Sequence, residues 1–103
     1  MRMIKKVSDS IRENIHEAKE KIDMAYRLHD EDKAVADWYK EMAAAHLNFN
    51  TNGHNIVVKL IEQAKAEKQG NPMMPGMMAA YNEIHSSLKI ESAEVQAMIQ
   101  NYK

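Results

Sequence analysis

The chain has 103 residues, of which 45% are apolar and 28% charged, with three Gly, two Pro and no Cys. So short a chain makes one domain, 1–103, and this balance disfavours both a disordered segment and a membrane protein. Fourteen basic against fifteen acidic side chains leave a formal net charge of −1, which supplies no general attraction to nucleic acid or to an anionic membrane; without cysteine there is no disulfide, thiolate zinc site or cysteine nucleophile.

The first ten residues, from Met1 to Ser10, are basic but lead into no apolar run of the kind a signal peptide needs, and no stretch is long and apolar enough to span a membrane. The expectation is a cytoplasmic protein. Few Gly and Pro point to helices. The series Ile4, Val7, Ile11, Ile15, Ala18, Ile22, Ala25, His29 advances in steps of three and four, one stripe of an α-helix running from near Met3 to His29. Asp30-Glu31-Asp32 then supplies a turn and an N-cap.

A second stripe reads Val35, Trp38, Met42, Ala45, Phe49, Asn52/Gly53, Ile56, Leu60 and Gln63/Ala64. Its phase survives Asn52-Gly53, which favours one helix over about residues 32–68 with Gly53 as a kink or close-approach point. Both residues nevertheless accept the left-handed conformation, so a break there is the alternative. Lys68 to Gly76 reads as a loop, with Gly70 suited to end one helix and proline to open the next. The third stripe is Met77, Tyr81, Ile84, Leu88, Glu91/Ser92, Val95, Ile99, Tyr102. Trp38, Phe49, Tyr81 and Tyr102 all fall at core spacing. The expected fold is all-α: an up-down-up bundle of three long helices, or four if the chain breaks at Gly53.

Catalytic motifs are missing. There is no Gly-x-Ser-x-Gly, no Walker A and no dinucleotide fingerprint. His46, Asn50 and His54 form a row four residues apart, readable as a ligand or metal surface or as a polar flank bonding between helices. His29 suits a helix C-terminus and His16 a solvated face. Asn48 to Asn55 is unusually rich in Asn for a helix, which marks either recognition or a loop. Met73, Met74, Met77 and Met78 cluster around Pro75-Gly76, where they suit a plug for the bundle's open end, a partner contact or a Cu(I) site.

The stretch from Glu17 through Asp30, continuing Asp32-Lys33-Ala34-Val35-Ala36-Asp37-Trp38-Tyr39-Lys40-Glu41-Met42-Ala43-Ala44-Ala45-His46-Leu47, resembles the first helical hairpin of ferritin-like and rubrerythrin-type proteins over about half the chain. That resemblance implies a four-helix, di-iron carboxylate bundle with oxidase, peroxidase or iron-storage chemistry. The family places Glu-x-x-His on the inward face. Here Ala43 and Thr51 stand three residues before His46 and His54, while Glu13-Asn14-Ile15-His16 points away from the first stripe together with Glu17 and Glu20. An iron site would therefore form between chains, from Glu13, His16, Glu20, Glu41 or His46. The leading expectation is instead a small non-catalytic helical module, without a cofactor. It forms a homodimer or other homo-oligomer, or binds a protein partner, through the long-helix stripe and the Met-rich end, with Met73, Met74, Met77, Met78, Asn50 and His54 as contact residues.

Overall fold

A computed structural model describes residues 2–67 and 74–103. It has three helices, α1 (Arg2–Leu28), α2 (Lys33–Glu67) and α3 (Met74–Asn101), with no strand among the described residues. They run up, down and up in a rod with principal extents of 59 × 16 × 16 Å. The radius of gyration, 16.9 Å, exceeds the ~13 Å of a compact chain this long. The cross-section is one bundle wide, so a large share of every helix faces water.

α1 forms as its stripe predicts. Ile4, Ile11, Ile15, Ala18, Ile22 and Ala25 are all buried, and Val7 packs against them. The helix closes where the Leu28 carbonyl accepts the Glu31 and Asp32 amides, at 3.0 and 2.9 Å. Asp32 then caps α2: its Oδ1 accepts the Val35 amide at 3.2 Å and its carbonyl accepts the Ala36 amide at 2.9 Å. One orphan amide of the first turn is thereby satisfied.

α2 is unbroken through Asn52-Gly53. A Cβ built on Gly53 would lie 2.9 Å from Ile11 Cγ1 and 3.1 Å from its Cδ1. The glycine is thus a close-approach point of α1 on α2. The helices meet through small residues, with Ala18 and Ala25 on α1 and Ala36 and Ala43 on α2 fully buried.

That close approach corrects the expected phase of α2. The buried seam is Ala36, Ala43, Leu47, Asn50, Val57 and Ile61, not the series containing Val35, Trp38, Phe49 and Ile56, whose side chains are exposed. Small side chains permit the short interaxial distance, and the bulky ones are turned outward. α3 keeps most of its expected stripe: Tyr81, Leu88, Ser92, Val95 and Ile99, with Tyr102 just past its end, face inward together with Met78. It is corrected at Ile84, which is 38% exposed while His85 is buried. Met74, Pro75 and Gly76 belong to the first turn of α3 rather than to the loop, a position where proline lacks only an amide that the helix leaves unused. Gly70 and Met73 lie outside the described residues, as do the side chains of Met74 and Met77.

Candidate interaction surface

Turning the larger stripe of α2 outward creates a long apolar surface. Val35, Trp38, Met42, Ala45, Phe49 and Ile56 recur at helical spacing along one face, with Trp38 56% and Phe49 70% exposed. This ridge runs for about 32 Å at 1.5 Å per residue. The six side chains present on the order of 500 Å² of apolar surface, which is at the upper end for a patch on a monomer.

Phe49 stands between two hollows in the groove that α2 makes with α1. One, of about 290 Å³, is lined by Val7 and Ile11 on α1 and by Phe49, Gly53 and Ile56 on α2, with Lys6 at its edge. The other, about 270 Å³, lies among Asn14, Met42, Ala45, His46 and Phe49. The missing Cβ of Gly53 lets Ile11 approach, and so shapes the floor of the first hollow. A protruding aromatic ring and an apolar recess therefore sit side by side on one face.

Behind this face, the polar row of α2 is spent inside the bundle. His46 Nδ1–H donates to Asn14 Oδ1 at 3.1 Å, and Asn50 Nδ2 donates to the Ile11 carbonyl at 3.1 Å. His54 Nε2 meets Ser92 Oγ at 3.3 Å. Asn50 is 2% exposed and ties α1 to α2, and it also lines the first hollow; Met78 is a core residue. The placement of Met78 corrects the expectation of a contact role for it, because its side chain is enclosed by the neighbouring helices.

His54 also packs against His85, with ring centroids 5.3 Å apart. Burial lowers the affinity of both rings for a proton, and nearby positive charge lowers it further, from His85 and Lys89 in the case of His54 and from Lys89 in that of His85. Their Nδ1 atoms and Asn50 Oδ1 are buried without a hydrogen-bond partner among the described residues.

The opposite end of the rod is closed by the C-terminus. Tyr102 lies against Tyr26 and His29, edge to face at 5.4 and 5.5 Å. Its hydroxyl donates to Asp37 Oδ1 at 3.1 Å and accepts from Lys33 Nζ at 3.3 Å. Lys33 bonds Asp37 at 2.6 Å, and Tyr26 Oη donates to the Met98 carbonyl at 2.8 Å. The Lys33 ammonium holds the Asp37 carboxyl below its ordinary range, with Tyr102 adding to that effect. Sequence spacing placed Tyr102 in the core but gave no sign of this cluster, whose members are brought together only by the packing of all three helices.

The carboxylate and imidazole candidates do not converge on one point: those on α1 are separate from those on α2. Glu13, His16 and Glu20 are exposed on α1, where His16 Nε2 is 3.0 Å from Glu20 Oε1. Glu41 is exposed on α2, 3.4 Å from Lys40, and His46 faces Asn14. Among the described residues no group of three or more His, Cys, Asp or Glu is gathered to hold a metal ion. No helix of the described residues is long and apolar enough to cross a membrane.

Fold and surface together define a class: among the described residues, a slender three-helix bundle with a clasped end and an open apolar ridge on α2. No protein family, curated protein or solved structure matches the chain.

Proposed function

We propose that this chain is a non-catalytic self-association module, and that the α2 ridge is where a second copy docks. The observation that carries this reading is the exposed Trp38–Phe49–Ile56 ridge beside its own apolar recess. A surface that holds both a knob and a hollow is complementary to itself, and a two-fold axis uses each of them twice. Two such ridges together bury on the order of 1,000 Å², the lower bound for a specific interface, before any polar rim is counted. No Asp, Glu, Lys or Arg occurs between Glu41 and Lys59, so the centre of the ridge is desolvated without stranding a charge.

Sedimentation equilibrium tests this across micromolar concentrations. The wild-type chain is expected to reach twice the monomer mass, and the emission of Trp38, the chain's single tryptophan, to shift to shorter wavelength as the dimer forms. Phe49→Glu is expected to stay monomeric while keeping its helix content, because the ring it replaces lies outside the core. A wild-type monomer at hundreds of micromolar would overturn the proposal, as would a dimer indifferent to Phe49→Glu.

A further inference from the structure

Resting on self-association through α2, we infer that the two copies pair antiparallel, aligned by a polar flank of the ridge that is its own complement when read backwards. The flank consists of Glu41, Asn48, Asn52 and Lys59, all exposed. At about 100° per residue these four fall within a narrow sector along one side of the Trp38–Phe49–Ile56 line. Glu41 and Lys59 are about five helical turns apart, so they share almost the same angular position.

A two-fold axis perpendicular to two facing helices keeps each flank on its own side and reverses its direction. Centred level with Asn50, it sets Glu41 against the partner's Lys59 and Lys59 against the partner's Glu41. The same operation sets Asn48 against the partner's Asn52, and Asn52 against the partner's Asn48. Each amide carries both donors and an acceptor, so the two pairs satisfy one another. Phe49 then descends over the partner's hollow between Phe49 and Ile56, whose volume of about 290 Å³ has room for an aromatic ring. Parallel pairing, about a two-fold axis along the helices, puts the two flanks on opposite sides of the interface, so neither Glu41 nor Lys59 meets an opposite charge of the partner's flank. Glu41 also lies 3.4 Å from Lys40 through Oε1, and its second oxygen is left for the intermolecular contact.

The flank also gives the Asn-rich segment a purpose. Asn is a poor helix former, yet the run from Asn48 to Asn55 sits in the middle of α2. Amides there provide a polar rim with no net charge, so that only the two ends of the flank set direction.

Charge reversal tests the pairing. Glu41→Lys and Lys59→Glu each turn two attractive contacts of the dimer into repulsive ones, and each is expected to weaken self-association about tenfold. Glu41→Lys/Lys59→Glu is expected to return to wild-type affinity, and an equimolar mixture of the two single variants to form a heterodimer as tight as wild type. Both substitutions are at exposed positions, and circular dichroism checks that each of the three variants remains helical. Single variants that dimerise like wild type would overturn the antiparallel flank while self-association through the ridge stands, since in a parallel pair the two flanks lie on opposite sides of the interface and neither reversal meets the partner's flank. A wild-type chain that does not associate would overturn both.

Discussion

At the scale of single residues, Gly53 has more influence than its size suggests. In an exposed helix interior glycine is a weakness, and replacing it with alanine stabilises by up to about 1 kcal/mol. The structure reverses that sign. The added methyl would meet Ile11 Cγ1 at 2.9 Å, and Ile11 is a fully buried side chain held by the core, so neither helix yields without moving packed neighbours. Gly53→Ala is therefore expected to destabilise by about 1–3 kcal/mol, the usual range for overpacking, as measured by urea unfolding. The cause is checked in an Ile11→Ala background, where most of the penalty should vanish because the obstructing atom is gone. An additive double mutant would place the strain elsewhere. The sequence raised close approach as one of two readings of Gly53, but the partner atom belongs to α1 and is reached only through the fold.

At the scale of elements, α1 was legible because it carries a single apolar stripe and therefore a single phase. α2 carries two. One is built of Val35, Trp38, Met42, Phe49 and Ile56, the other of Ala36, Ala43, Leu47, Val57 and Ile61 with Asn50 among them. Hydrophobicity alone chooses the bulkier series. Packing chooses the smaller one, because Ala36 and Ala43 let α1 come close and Asn50 is acceptable once its amide donates to Ile11. In α3 the seam departs from the expected stripe at Ile84, which is exposed while His85 is buried. The candidate surface was thus named as the stripe of the long helix through which the chain associates, although Trp38 and Phe49 on it were also read at core spacing. The C-terminal cluster was illegible for another reason: Tyr26, the Lys33–Asp37 pair and Tyr102 come from α1, α2 and the residue after α3, and only Lys33 and Asp37 share a local spacing. Its apolar and polar parts are separable by mutation. Tyr102→Ala should cost about 3 kcal/mol, the scale for removing a buried aromatic ring. Tyr102→Phe should retain most of that stability, because Lys33 and Asp37 still bond each other and reach water. In Tyr102→Phe the Asp37 carboxyl should titrate somewhat closer to its ordinary value, still depressed by Lys33, as followed by NMR. Equal losses in the two variants would show that the hydroxyl, and not the ring, closes the rod.

For the whole molecule, a histidine just past the end of α1 and two in mid-bundle make stability depend on pH with opposite signs. His29 donates from Nδ1 to Asp30 at 2.9 Å and from Nε2 to the Lys103 carbonyl at 3.2 Å. Both partners are acceptors, so both contacts form only on the protonated ring, and its pKa is raised, first by Asp30 and then by the carbonyl. Its contribution is complete below the unfolded value of 6.5 and is lost as pH rises through the higher folded value. His54 and His85 behave inversely, because burial depresses both. Their contribution is present above 6.5 and is lost as pH falls through their folded values, where two facing rings and Lys89 would all carry positive charge. Asp37 adds a later acid step: its depressed carboxyl stabilises the fold above the unfolded value of 3.8, and that contribution disappears as pH drops through the lower folded value. Maximum stability should therefore lie near pH 6.5, with a decline on each side, in urea midpoints measured for the monomeric Phe49→Glu variant so that association does not enter. His85→Leu should reduce the decline just below pH 6.5 and leave the alkaline side unchanged, whereas His29→Gln should flatten the alkaline side alone. Stability that climbs steadily from pH 6.5 to 5 would mean that the buried pair gains a counter-charge on protonation, and that the enclosed environment assigned to His54 and His85 is wrong.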